Sequence, residues 1–165
     1  MPGPEVRSRR RPFAGAILAV VSVAATADEG MTLVQDAGFE PLPVPVSNNA
    51  VASVKAGRRQ YLVSFNGLAA GRTHVDTLAS TFVYDSRSRS WSEADPVPGE
   101  TGRLASVAAA ADGTVYVFGG YTVAADGTEA STPWTHAFDP RKRTFEERAP
   151  MPVPVDDAVA VTYDD

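Results

Sequence analysis

Internal repetition constrains this chain more than any other feature. Segments of similar sequence recur about 54 residues apart, and self-similarity at a fixed period implies copies of one structural unit packed against one another. Ala52-Ser53-Val54 returns as Ala105-Ser106-Val107, 53 residues on. Leu62-Val63-Ser64-Phe65-Asn66-Gly67 returns as Val115-Tyr116-Val117-Phe118-Gly119-Gly120 at the same spacing. Thr81-Phe82-Val83-Tyr84-Asp85 returns as Thr135-His136-Ala137-Phe138-Asp139 at a spacing of 54, and Trp91 as Phe145. A third copy begins near the end of the chain: Pro43-Val44-Pro45-Val46 reappears as Pro152-Val153-Pro154-Val155, and Ala50-Val51-Ala52 as Ala158-Val159-Ala160.

Each copy reads as four strands. The first is rich in small residues (50–56 and 104–110). The second (61–65 and 114–118) is apolar at both parities, so it must be covered on both faces. Between them in the second copy lies Asp112-Gly113, a two-residue hairpin signal because both residues tolerate positive φ. The third strand (81–85 and 133–138) and a fourth around Trp91 or Phe145 alternate more, as expected nearer a rim. Four-stranded antiparallel sheets stacked face to face by tandem repetition describe a β-propeller. Thirteen glycines and thirteen prolines spread through 165 residues agree with that, since punctuators at this density suit many short elements rather than a helix bundle.

The second copy also carries a set of residues at fixed offsets. Phe118-Gly119-Gly120 closes its second strand, Phe138-Asp139-Pro140 closes its third, Phe145 follows that Asp by six positions, and Ala149-Pro150-Met151-Pro152 forms the exit. This set resembles the kelch repeat, of the bacterial kind grouped with galactose oxidase-like and sialic-acid mutarotase-like propellers. The resemblance extends over nearly all of residues 40–165. The first copy departs from it at Asn66, where the second has Gly119, and at Asp85-Ser86 in place of Asp-Pro. Asn is the best non-glycine residue at positive φ, so the fold survives that change.

The resemblance implies an all-β, kelch-type β-propeller of four-stranded antiparallel blades, incomplete, with about two blades plus flanking strands. Propellers close with roughly four to eight blades, so the expectation is a longer protein, six-bladed, continuing past Asp165. Residues 47–99 are expected to form blade 1, 100–153 blade 2, and 154–165 the start of blade 3. Residues 28–46 are expected to supply an outer strand to the last blade and lock the ring.

The first 27 residues read as a signal peptide. Arg7, Arg9, Arg10 and Arg11 precede an apolar run from Phe13 to Ala27 that ends in Ala25-Thr26-Ala27, which fits an A-x-A cleavage site. A membrane span needs about 20 apolar residues, so this run is short for an anchor. Arg10-Arg11-Pro12-Phe13 loosely resembles a twin-arginine signal. Export to the periplasm or medium follows, with no membrane span after cleavage. There is no cysteine, hence no disulfide, thiolate metal site or cysteine nucleophile. A net charge of −5 gives no footprint for nucleic acid.

By the same resemblance, loops 67–80 and 120–133 line one mouth of the central channel, with 46–50, 97–103 and 153–157. The ligand-binding candidates there are Asn48, Asn49, Arg72, His74, Arg103, Tyr121, Asp156 and Asp157. Asp76, Asp126 and Glu129 share the loops. Guanidinium makes paired hydrogen bonds of fixed geometry to a sugar or carboxylate; Asn and Asp in loops also cap turns, and loop charges are often merely solvated. Tyr121, just past the glycine pair, is the aromatic placed to stack on a ligand. Trp91, Trp134, Phe138 and Phe145 read as blade-to-blade packing, and His136 as a packing histidine with a bonded ring nitrogen. No catalytic, metal or cofactor motif is present: no G-x-S-x-G, H-E-x-x-H, Walker loop or dinucleotide fingerprint. Copper-radical oxidases of this resemblance need a Tyr–Cys pair, which a chain without cysteine lacks. The expected function is an exported, non-catalytic module that binds a carbohydrate or other small polar ligand, with no cofactor. The alternatives are a sugar mutarotase or epimerase of the sialic-acid mutarotase type, acting on an acidic sugar by general acid/base catalysis, and a protein-interaction scaffold.

Overall fold

Strand periodicity and turn chemistry translate directly into two sheets. The computed structural model describes residues 39–163, so the signal peptide expected at 1–27 lies outside the described residues. β1 (Ala50–Ala56), β2 (Arg59–Leu68), β3 (Thr77–Asp85) and β4 (Ser90–Ala94) form one antiparallel sheet in that order. β5 (Val107–Ala111), β6 (Thr114–Phe118), β9 (Thr135–Asp139) and β10 (Thr144–Arg148) form the second, in the order β10-β9-β6-β5. β7 (Tyr121–Val123) and β8 (Glu129–Ser131) pair as a separate hairpin inserted between β6 and β9. Apart from a three-residue 3-10 turn at His74–Asp76, the described residues contain no helix.

Asp112 and Gly113 take φ of +49° and +76° between the paired Ala111 and Thr114, as a primed two-residue hairpin requires. Alternate residues of β1 are buried, Ala50, Ala52, Val54 and Ala56, and their small size lets β1 pack closely on β5 and β6. Across that seam Val63, Phe65 and Val83 of the first sheet meet Val115, Val117 and Phe138 of the second, all fully buried. Phe65 stands edge-on to Phe138 at 5.5 Å and to Phe145 at 5.9 Å, the geometry that aromatic quadrupoles favour. Phe138 and Phe145 are therefore blade-to-blade contacts, as expected.

The strands and their connections depart from the sequence reading in four places. Every residue of Thr81–Asp85 in β3 is buried, instead of alternating, because β3 lies inside its sheet and Phe39 packs edge-on to Tyr84 on the side away from the second sheet. β5 begins at Val107, three residues later than the 104 expected, because Ala105 adopts φ of +52° and breaks the extended chain. The loop 120–133 contains the β7–β8 hairpin. Residues 154–163 form no strand, since a ladder needs a partner strand and none of the described residues supplies one. They are held instead by single bonds, Gly120 N to Val155 O at 2.9 Å and Thr162 Oγ1 to Ala110 O at 2.6 Å. At the other end, the Trp91 indole N–H donates to Glu40 O at 2.7 Å.

Candidate functional site

The glycine that ends each second strand does more than reverse the chain. Gly67 N donates to Arg103 O at 3.1 Å, and Gly120 N donates to Val155 O at 2.9 Å, so each reaches the lead-in of the following copy. Neither position has room for a side chain: a Cβ on Gly67 would lie 2.7 Å from Ser47 O, and one on Gly120 2.6 Å from Leu104 O. Beside them runs a second chain of bonds through one left-handed residue per copy, Asn48 (φ +54°), Ala105 (+52°) and Asp157 (+48°). Ala105 N donates to Asn48 O at 3.3 Å, and Asp157 N donates to Ala105 O at 3.2 Å. Asn66 keeps the left-handed turn of the missing glycine at φ +58°, and its buried Nδ2 donates across the sheets to Ser106 Oγ at 3.1 Å.

These backbone bonds gather the loops of both sheets at one end, and the candidate residues sort accordingly. Asn49 Nδ2 is engaged with Ser64 Oγ at 2.8 Å. Asp76 accepts from the Thr73 hydroxyl and, at 2.8 Å, from Thr73 N, and these bonds hold its carboxyl below the usual range. Asp126 accepts from Thr128 N at 2.9 Å in the β7–β8 turn, which lowers it in the same way. Those three are turn and strand caps. Arg72, at φ +58°, and His74 are exposed on the β2–β3 loop.

Tyr121, Asp156 and Asp157 do come together, and they are joined by two residues of β8. Burial pushes the Tyr121 phenol up, and the carboxylates of Glu129, Asp157 and Asp156 raise it further. The Ser131 hydroxyl donates to Asp156 Oδ2. Sequence reasoning left Ser131 out; the signal available was the Asp126-Gly127 turn, which folds Glu129-Ala130-Ser131 back on Tyr121-Thr122-Val123.

Arg103 is elsewhere. It was expected among the ligand-binding groups at the mouth, but it is 1% exposed, inside the second sheet's end. Its Nη1 donates to Gly119 O at 2.7 Å and to Trp134 O at 3.5 Å, and its Nη2 lies 3.4 Å from Nδ1 of His136. Among the described residues no carboxylate pairs with it. Burial alone pushes its pKa down to about 10. Trp134, expected in the blade packing, is 39% exposed and lies 5.6 Å beneath the guanidinium, within cation–π reach. His136 is buried as expected, edge-on to Phe145 at 6.3 Å. No group of three or more His, Asp or Glu side chains among the described residues could hold a metal ion. No described helix is long and apolar enough to cross a membrane.

Against known families, residues 102–152 match the kelch motif. That segment is a kelch repeat. The two four-stranded sheets are blades of a kelch-type β-propeller, incomplete in the described residues. The fold is similar to a solved structure known as "Structure of YjhT", at 18% sequence identity and a TM-score of 0.58, over 78% of this chain and 34% of that one. The chain here thus spans about a third of the length of that protein. No curated protein matches it by sequence.

Proposed function

We propose that this chain belongs to an exported, non-catalytic module that binds a carbohydrate at the β7–β8 end of blade 2. The observation that carries this reading is the convergence of Tyr121, Glu129, Ser131, Asp156 and Asp157 from separate stretches of the chain. A sugar ring presents hydroxyl donors, which carboxylates accept, and an apolar face, which an aromatic ring covers. The patch is acidic and the buried Arg103 is not available to balance it, which favours a neutral sugar over an acidic one. Arg72, His74 and Asn48, at the matching end of blade 1, would meet the far end of a longer glycan. Glycan-array binding by the full-length protein tests this: neutral glycans should bind, sialylated ones weakly, and Tyr121→Ala or Asp156→Asn should weaken binding about tenfold, the scale of one lost hydrogen bond or ring contact. Binding to no glycan overturns it. Export rests on the basic leader, the apolar run and Ala25-Thr26-Ala27, and an exported product beginning at Asp28 would support it.

A second reading, a sugar mutarotase or epimerase, draws support from the Tyr121 phenol, a titratable group whose pKa burial and the nearby charges of Glu129, Asp157 and Asp156 raise. Anomer interconversion followed by NMR, accelerated by the protein and lost in Tyr121→Phe, would replace the binding-only reading. A scaffold role would show as a co-purifying partner lost when 67–80 is replaced by glycine and serine.

A further inference from the structure

Two bases meet under the hairpin, and ligand binding explains neither. Arg103 on the lead-in to β5 and His136 in β9 are 1% and 6% exposed. A guanidinium only donates, so the 3.4 Å contact of Nη2 with Nδ1 holds only while that ring nitrogen is unprotonated. The other arm of the fork holds Gly119 O and Trp134 O. These carbonyls belong to the two stems of the β7–β8 hairpin, which are also bonded to each other, Gly119 N donating to Trp134 O at 2.9 Å. Arg103 therefore cross-braces both stems.

We propose that His136 and Arg103 form an acid-sensitive latch: protonating His136 sets a second positive charge against the buried guanidinium and releases the stems of the hairpin. The charged groups that act on the ring are Arg103 from the β5 lead-in and Glu147, its cross-strand partner on β10. Val117 of β6 and Phe145 of β10 face it with apolar surface. Glu147 is exposed, so solvent screens its pull. Burial, then Arg103, hold His136 below the ordinary histidine range, against the opposing effect of Glu147. The opened chain thus binds the proton more tightly than the closed one. Closure is fully stable above the ordinary value of about 6.5 and weakens as pH falls from there toward the lower closed-state value.

Amide hydrogen exchange on the full-length protein at pH 7.5 and 5, corrected for intrinsic rates, reads this directly. Opening at Gly119, Tyr121 and Thr132 should rise on going to pH 5, by up to about thirtyfold, the ceiling set by the distance of pH 5 below the ordinary value of about 6.5, ahead of amides in the β2–β3 ladder. His136→Gln, which keeps a neutral acceptor, should flatten that response, and His74→Gln should leave it unchanged. Should His136→Gln fail to fold, Arg103→Met should shrink the response without abolishing it, because it removes the opposing charge but leaves the ring buried. An equal acid response in the wild type and the folded variant overturns the latch, as does a His136 ring resonance titrating at or above the ordinary value.

Discussion

Gly120 and Gly127 have the same φ, +84°, and their alanine variants should differ sharply in stability. A left-handed backbone costs an alanine roughly 1–2 kcal/mol, and the stiffer unfolded chain returns about 0.4–1 kcal/mol of that. A Cβ on Gly127 meets nothing within 4 Å, so Gly127→Ala should cost about 1 kcal/mol in all. At Gly120 the same Cβ would lie 2.6 Å from Leu104 O and 2.9 Å from Ser106 N, both backbone. Leu104 cannot retreat freely, because it exchanges two 2.9 Å bonds with Tyr121. Giving up one of those bonds costs about 1 kcal/mol, and overpacking adds roughly 1–3 kcal/mol. Gly120→Ala should therefore lose about 3–5 kcal/mol by these combined terms. Equilibrium urea unfolding, followed by the fluorescence of Trp91 and Trp134, measures both. Equal losses in the two variants would refute the claim that close approach to the β5 lead-in of the same blade, rather than φ, demands this glycine.

Other perturbations follow from the same geometry. Ala105 carries left-handed strain where its counterparts are Asn48 and Asp157, so Ala105→Gly should raise stability by up to about 1 kcal/mol and the melting midpoint by a few degrees. Phe138→Ala opens a cavity at the seam between blades and should cost about 3–5 kcal/mol, whereas Val51→Ala, on the 47% exposed side of β1, should stay within roughly 0.5 kcal/mol. Burial pushes Asp139 up, but the N–H groups of Arg141 and Lys142 and their charges pull its carboxyl further down. Its contribution is present above the ordinary carboxylate value of about 3.9 and is lost as pH falls through the lower folded value. Thermal melts from pH 5 to 2.5 should accordingly show a shallower acid decline in Asp139→Asn.

How far the sequence could be read depended on whether the deciding contacts were local. Side-chain alternation and turn residues act within a few positions, and so β1, β6 and the Asp112-Gly113 hairpin lie where the repeat placed them. The β7–β8 hairpin escaped notice because two three-residue strands carry too little alternation to stand out from a loop. In the candidate site, Tyr121, Asp156 and Asp157 were legible as loop residues of neighbouring copies, while Ser131 was not, since its partner Asp156 is 25 residues away.

From the amino acids alone came the repeat unit, its four strands and the kelch resemblance, because all three depend on spacing along the chain. Whether a polar side chain faces a ligand or braces the interior was decided only in three dimensions. Arg103 shows why: its guanidinium ends on carbonyls 16 and 31 residues away, and a long flexible side chain takes the route along which its donors are satisfied once water is excluded.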